Sequence, residues 1–223
     1  GIAFAKEFID RELGERLALK AWYCDSTHRY AMTDNVQPII ETSKNAKRPA
    51  GNPKADRRRY LLLGHGSHLV DMARFLGGPI RSVHARLVEK FGAYSWFVDT
   101  EFEDGGNGHL DLTVAVRMDW WEGFTVYGEF GSVVGKTFNP WFFKSSDVEC
   151  FSERDGQYRR ILGADAHFYR LQLEAFADTI LTGAPMRGAD VTDGLAAIKT
   201  LVAIAQSAET GQRCDVASAK GAV

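Results

Sequence analysis

The sequence predicts an α+β fold: one large, predominantly antiparallel sheet with helices packed on one face and the other face open. Three observations predict it. Strand-like alternation is concentrated in the middle of the chain, while helical periodicity lies toward its two ends. The strand segments follow one another through short Gly-containing or Asn-Pro turns, so consecutive strands pair antiparallel. In the clearest of them Leu110, Leu112, Val114, Val116, Met118 and Trp120 alternate with His109, Asp111, Thr113, Ala115, Arg117 and Asp119. One sheet face is therefore apolar and needs a cover, and the other can meet water or a partner.

The elements follow in order. Residues 3–13 read as a helix with a sparse stripe of Phe4, Phe8 and Leu13, and Gly14 sits where a C-terminal cap belongs. Leu17, Leu19 and Ala21 alternate with polar neighbours and predict a strand. Residues 25–58 lose all periodicity and carry Pro38, Pro49 and Pro53, which predicts a long loop; loops of that length are commonly functional. Residues 60–76 form a helix, with Leu69, Met72, Ala73 and Leu76 at i, i+3, i+4, i+7 and Gly77-Gly78-Pro79 as its stop. Val83, Ala85, Leu87 and Phe91 mark the next strand. After the clear segment above, 123–130, 132–138 and 141–152 continue as strands. Two helices close the chain. One spans 165–182 with an inward stripe of Tyr169, Leu173, Phe176, Ala177 and Ile180. The other spans 190–210 with Val191, Leu195, Ile198, Val202 and Ala205.

Composition excludes several classes. A net charge of -2 gives no basic field for nucleic acid or for an anionic membrane surface. No apolar run approaches the ~20 residues of a membrane-spanning helix. Lys6, Glu7 and Asp10 make the first ten residues unlike a signal peptide. Cys24, Cys150 and Cys214 are widely spaced and odd in number, so they form neither a disulfide framework nor a CxxC ligand pair, which points to the reducing cytoplasm. The chain also opens directly into a helical pattern without an initiator Met, as a piece of a longer protein would.

The chemistry-bearing cluster is Gly64-His65-Gly66-Ser67-His68-Leu69-Val70-Asp71. His65, His68 and Asp71 follow at i, i+3, i+6 and share a helix face. Three roles fit His68: a general acid/base, a metal ligand with His65 and Asp71, or a histidine that satisfies its own hydrogen bonds. The metal role lacks a fourth ligand and an HExxH pattern, so no metal is expected. Two glycines in a helix each cost about 1 kcal/mol relative to Ala, which a close approach of ligand or backbone would explain. His65 is a candidate substrate contact, as are Arg59, at the end of Arg57-Arg58-Arg59, and His167 and Tyr169 at the start of the penultimate helix. A solvated charge run is the plainer reading of Arg57–Arg59.

Gly66-Ser67-His68-Leu69-Val70-Asp71-Met72-Ala73-Arg74-Phe75-Leu76-Gly77 resembles the GxHxxDxxRxLxG helix of the glucose-fructose oxidoreductase/inositol dehydrogenase (Gfo/Idh/MocA) family. Phe168 to Gly183 and Pro185 to Leu201 resemble its closing helices, so the likeness runs in order along nearly the whole chain. The resemblance implies that residues 1–223 are a single C-terminal substrate-binding and oligomerisation domain, with the dinucleotide-binding domain absent from this chain. It implies that His68 is the acid/base at a sugar or polyol hydroxyl, that NAD or NADP serves the complete enzyme, and that the open sheet face joins copies into a homo-oligomer. No cofactor is expected on this chain alone, and no activity. Two departures stand out. There is no Glu-Lys-Pro and no GxGxxG, and Gly64 stands where many members carry an Asp four residues before the histidine. Asp71 is then a structural residue near the site. Two other readings remain open: a glycosidase relative that uses bound nucleotide, and a stand-alone binding or dimerisation domain without catalysis.

Overall fold

The structure is a computed structural model and describes residues 1–26, 45, 51–52, 54–118, 120–138, 144–162, 168–221 and 223. In chain order its elements are α1 (Ile2–Arg11), β1 (Arg16–Ser26), α2 (Arg57–Gly77), β2 (Ile80–Lys90), β3 (Ala93–Phe102), β4 (Asn107–Val116), β5 (Trp121–Gly128), β6 (Gly131–Thr137), β7 (Ser146–Ser152), β8 (Gln157–Arg160), α3 (Phe168–Thr182), α4 (Val191–Thr210) and β9 (Cys214–Asp215). The strands form one open sheet in the order β8-β7-β6-β5-β1-β4-β3-β2-β9, and the fold is α+β as the sequence predicts.

Strands that neighbour each other in the sheet pair antiparallel with one exception. β1 lies between β4 and β5, antiparallel to β5 and parallel to β4. It joins two meanders, β2–β4 and β5–β8, which do not pair with each other directly. α1 covers β6 and β7; α2 crosses β1 and β4; α4 packs on β2 and against α2.

Residues that stand opposite across the ladders share a face, so the core is a set of rows. One row runs Val148, Gly135, Phe124, Ala21, Leu110, Val98, Ala85. The next, nearer the C-terminal end of β1, runs Ser146, Thr137, Glu122, Tyr23, Leu112, Trp96, Leu87. Both lie beneath the helices. Arg16 fastens α2 to this layer: its guanidinium sits 4.2 Å from the Phe102 ring and donates to the Gly77 carbonyl oxygen at the helix end.

Several elements differ from expectation. The strands Ala93–Phe102, Gln157–Arg160 and Cys214–Asp215 are additional to those read from the sequence. In β3 the outward Phe97 is as apolar as the inward Trp96 and Val98, so the polarity does not alternate. Near the end of β4 the face changes at Ala115, whose φ of 62° breaks the pleat, and Met118 is 48% exposed rather than inward. The 25–58 loop is shorter than expected at both ends, because β1 runs to Ser26 and α2 starts at Arg57. His28, Asp119, Trp141 and His167 lie outside the described residues.

The closing helices depart furthest. α3 buries none of its residues, and its stripe is exposed: Tyr169 47%, Leu173 68%, Phe176 52%, Ile180 65%, with Ala177 exposed as well. α4 turns a different face inward. Ala197, Thr200, Leu201, Ala203, Ile204 and Ser207 are buried, while Val191, Leu195 and Ile198 are exposed. Small residues permit this close approach. A Cβ on Gly66 would come within 2.8 Å of a Leu201 methyl, and Ser207 Oγ accepts the Ala85 amide across the helix–sheet contact.

Gly64 and Gly66 therefore differ in kind. A Cβ on Gly64 meets nothing within 4 Å among the described residues. Gly64→Ala should raise stability by about 1 kcal/mol, the helix-propensity gain. Gly66→Ala should lower it by about 1–3 kcal/mol through overpacking against Leu201. Paired urea-unfolding curves check both signs.

Candidate functional site

The site grows from the crossing of α2 over the end of β1. Asp56 starts α2 by accepting the Arg59 amide at 3.0 Å. Leu62, Gly66, Leu69, Val70 and Ala73 then turn to the sheet and α4. That buried stripe leaves His65 and His68 on the helix flank, above the end of β1.

β1 supplies what lies beneath them. Tyr23 continues the inward alternation of Leu19 and Ala21 and is only 6% exposed. Its ring stacks on His68, with centroids 5.8 Å apart and planes 10° apart. It lies 5.5 Å from the His65 ring, and its hydroxyl is 3.2 Å from His65 Nδ1. Trp120 meets the same tyrosine edge-on at 5.7 Å. Asp25, next on that face, is 7% exposed and places Oδ2 3.5 Å from His65 Nδ1. Position 64, where the resemblance implies an Asp, is Gly in this chain. Here a carboxylate reaches the histidine pair from β1 instead, and it meets His65 rather than His68.

Electrostatics separates the two sides of the cluster. Crowding by protein atoms lowers the His68 pKa, although its ring keeps an exposed edge; Asp71 pulls weakly the other way. At neutral pH the imidazole is mostly uncharged and able to accept a proton. Asp71 is raised by burial and by Asp193 at the start of α4, against Arg74 and His68. It sits between the helices and fits a structural role. Glu122 stands directly opposite Tyr23 across the β1–β5 ladder, on the helix side of the sheet. Burial pushes its carboxyl up to about 7, with Thr137 opposing.

Of the residues singled out from sequence, the structure unites His65, His68 and Gly64. Arg59 lies nine residues ahead of His68 on α2, about 14 Å along the helix axis, and is not beside it. Tyr169 lies on α3 with its ring 4.8 Å from that of Phe168. Tyr23, Asp25, Trp120 and Glu122 are members that sequence reasoning did not assign to the site. The signal for two of them was the period-2 continuation of β1. The thiols are poor nucleophiles: burial raises Cys24 to about 11 and Cys150 to about 12. Among the described residues no three of His, Cys, Asp and Glu converge as a metal site, and no helix is long and apolar enough to cross a membrane.

Residues 61–216 match the model of the oxidoreductase family, C-terminal alpha/beta domain. The chain belongs to this Gfo/Idh/MocA family. Solved structures agree in fold. An oxidoreductase from Desulfitobacterium hafniense superposes with a TM-score of 0.72 at 18% identity, over 98% of this chain and 62% of that one. An NAD-binding oxidoreductase from Klebsiella pneumoniae gives 0.71 at 15%, over 96% and 63%. Levoglucosan dehydrogenase in complex with NADH and levoglucosan gives 0.70 at 16%, over 96% and 62%. This chain thus spans less than two thirds of the relatives it resembles. No curated relative matches by sequence.

The sequence has no Gly-x-Gly-x-x-Gly, and the glycines before β4 form a tight turn in which Gly105 has a φ of 88°. This Gfo/Idh/MocA chain holds the His68 cluster without a phosphate-binding turn beside it.

Two pH effects follow. The His68 ring should titrate below 6.5, because burial disfavours its charged form; histidine NMR titrations against His68→Gln identify the signal. Glu122 binds its proton more tightly folded than unfolded, so it destabilises the fold as pH rises from about 4.5 to about 7. Glu122→Gln should gain stability over the unsubstituted chain across that window, by about 2 kcal/mol at pH 8. Denaturation at pH 5 and pH 8 tests the sign.

Proposed function

We propose that this chain is the substrate-binding half of an NAD(P)-dependent oxidoreductase acting on a sugar, polyol or similar hydroxyl compound. The observation that carries the reading is the uncharged, partly open His68 imidazole, held flat by Tyr23 at the mouth of a polar cluster. Such a group takes a proton from a hydroxyl when the carbon beneath is oxidised, and returns it in the reverse direction. Tyr23 sets the ring plane. His65, tied to the Tyr23 hydroxyl and Asp25, is placed for a neighbouring substrate hydroxyl. Gly64, one turn before His68, leaves open space on the same helix face for the ligand. Arg59 and Tyr169 belong to the proposed binding surface farther from the reacting carbon, and His167 is a further proposed substrate contact.

The hydride carrier, NAD or NADP, resides by this reading on a separate nucleotide-binding domain. The exposed stripes of α3 and α4 (Leu173, Phe176, Ile180, Val191, Leu195, Ile198) are apolar surface that a soluble monomer rarely leaves uncovered, and we assign them to that domain. The open sheet face carries Phe97, Trp121, Tyr127 and Val134, each more than a third exposed, which supports its role as a homo-oligomer interface. The three free cysteines suit a reducing cytoplasm.

In the polypeptide that unites this domain with its nucleotide-binding part, His68→Ala should lower kcat on its sugar or polyol by 10²- to 10⁴-fold, the usual worth of general acid–base catalysis. Steady-state kinetics over a panel of sugars and polyols checks this. Unchanged turnover would replace the catalytic reading with that of a binding or dimerisation domain.

A further inference from the structure

Glu122 has no role in the proton exchange assigned to His68, yet its position is unusual. It faces the helices on the same row as Tyr23, with Thr137 and Ser146 continuing the row outward on β6 and β7. Directly opposed residues in an antiparallel ladder bring their Cβ atoms within about 5.5 Å. Glu122 is thus one strand away from the tyrosine that stacks on His68. Trp120, two residues earlier, packs edge-on to that tyrosine. Tyr23 from β1 and Thr137 from β6 stand opposite Glu122, and the titratable groups gathered at that tyrosine are Asp25 from β1 and His65 and His68 from α2. Among the described residues no cation acts on the carboxyl: burial and the Thr137 hydroxyl account for its shift. Lys136, the neighbouring base on β6, stands opposite Gly123 and points to the open face, where its ammonium lies 3.4 Å from the Trp121 ring centroid.

A desolvated carboxyl without a cation is costly for stability unless it serves a ligand. A neutral polyol brings no counter-charge, so it meets such a group best as an uncharged acid. The acid O–H donates to a ligand hydroxyl oxygen, and the acid carbonyl accepts the same or a neighbouring hydroxyl proton.

We propose that Glu122, in its protonated form, is a substrate-binding residue that recognises a second hydroxyl of the ligand, on the far side of Tyr23 from the hydroxyl served by His68. The inference rests on the reading of this site as one for hydroxyl compounds. It adds that recognition is pH-dependent, fading as Glu122 ionises through neutrality.

The test is binding of levoglucosan and L-sorbose to the 223-residue chain at pH 6 and pH 8.5, followed by Trp indole NMR signals and calorimetry. In the unsubstituted chain, binding weakens severalfold at the higher pH. Glu122→Gln keeps a neutral donor and acceptor, so it binds about as well as the unsubstituted chain at pH 6 and does not change with pH. Glu122→Leu loses about tenfold, the worth of one buried hydrogen bond. The proposal is overturned if the Leu variant binds as the unsubstituted chain does, or if the Gln variant weakens with pH to the same degree. His68→Ala separates the two readings. Loss of binding or turnover on His68→Ala, with no effect of either Glu122 variant, removes this inference and leaves the hydroxyl-compound site standing. Binding of neither sugar by any of these proteins removes both.

Discussion

The contact of Tyr23 with the two histidines of α2 is the interaction on which the site depends. An aromatic ring stacked at 10° on an imidazole fixes the plane of that imidazole far better than solvent would. The same ring bears the hydroxyl that meets His65, and it is buried because Leu112 flanks it in the sheet and Trp120 closes its edge. None of this is local in sequence. It requires β1 to enter the sheet between β4 and β5 in one register, since a slip of one residue would turn Tyr23 and Asp25 to the open face. The geometry of the histidine cluster and the register of the sheet are one constraint here.

Two kinds of carboxyl border that tyrosine, and their surroundings divide their work. Asp25 has a histidine within ion-pair distance and suits a positioning role. Among the described residues Glu122 has a hydroxyl neighbour and no cation to offset its burial, and it stays partly protonated near neutrality. Asp71 is a third case, turned toward α4 and Asp193, where it bears on helix packing more than on a ligand. A residue type in a motif does not disclose its task; the solvent and charges around it do.

Much of the fold was legible in the sequence, because its strands alternate and its helices carry glycine stops. The His68 helix stood out as a candidate site from His65, His68 and the glycines around them. What escaped did so for physical reasons. β3 was hidden because Phe97 is apolar on the outward face. Tyr23 and Asp25 were hidden by a strand that outlasts its apolar alternation and ends in a polar stretch. Glu122 reads as an ordinary charged residue until the ladder places it beside Tyr23. The helical stripes of α3 and of the first turns of α4 were read correctly as apolar faces. Periodicity cannot say whether such a face is covered by the same domain or by another.

The insertion of β1 also has a consequence for how the chain acquires its shape. Each meander on either side is built from hairpins between neighbours in sequence, which form early and independently. Joining them waits for a segment from near the start of the chain, pairing Ala21 with Leu110 on one side and Phe124 on the other. Until it arrives, β4 and β5 each present a raw edge with unpaired amides and carbonyls. Long-range pairing of this kind is slow, so a chain in which β1 has not yet docked is at once sticky and without its Tyr23–histidine cluster.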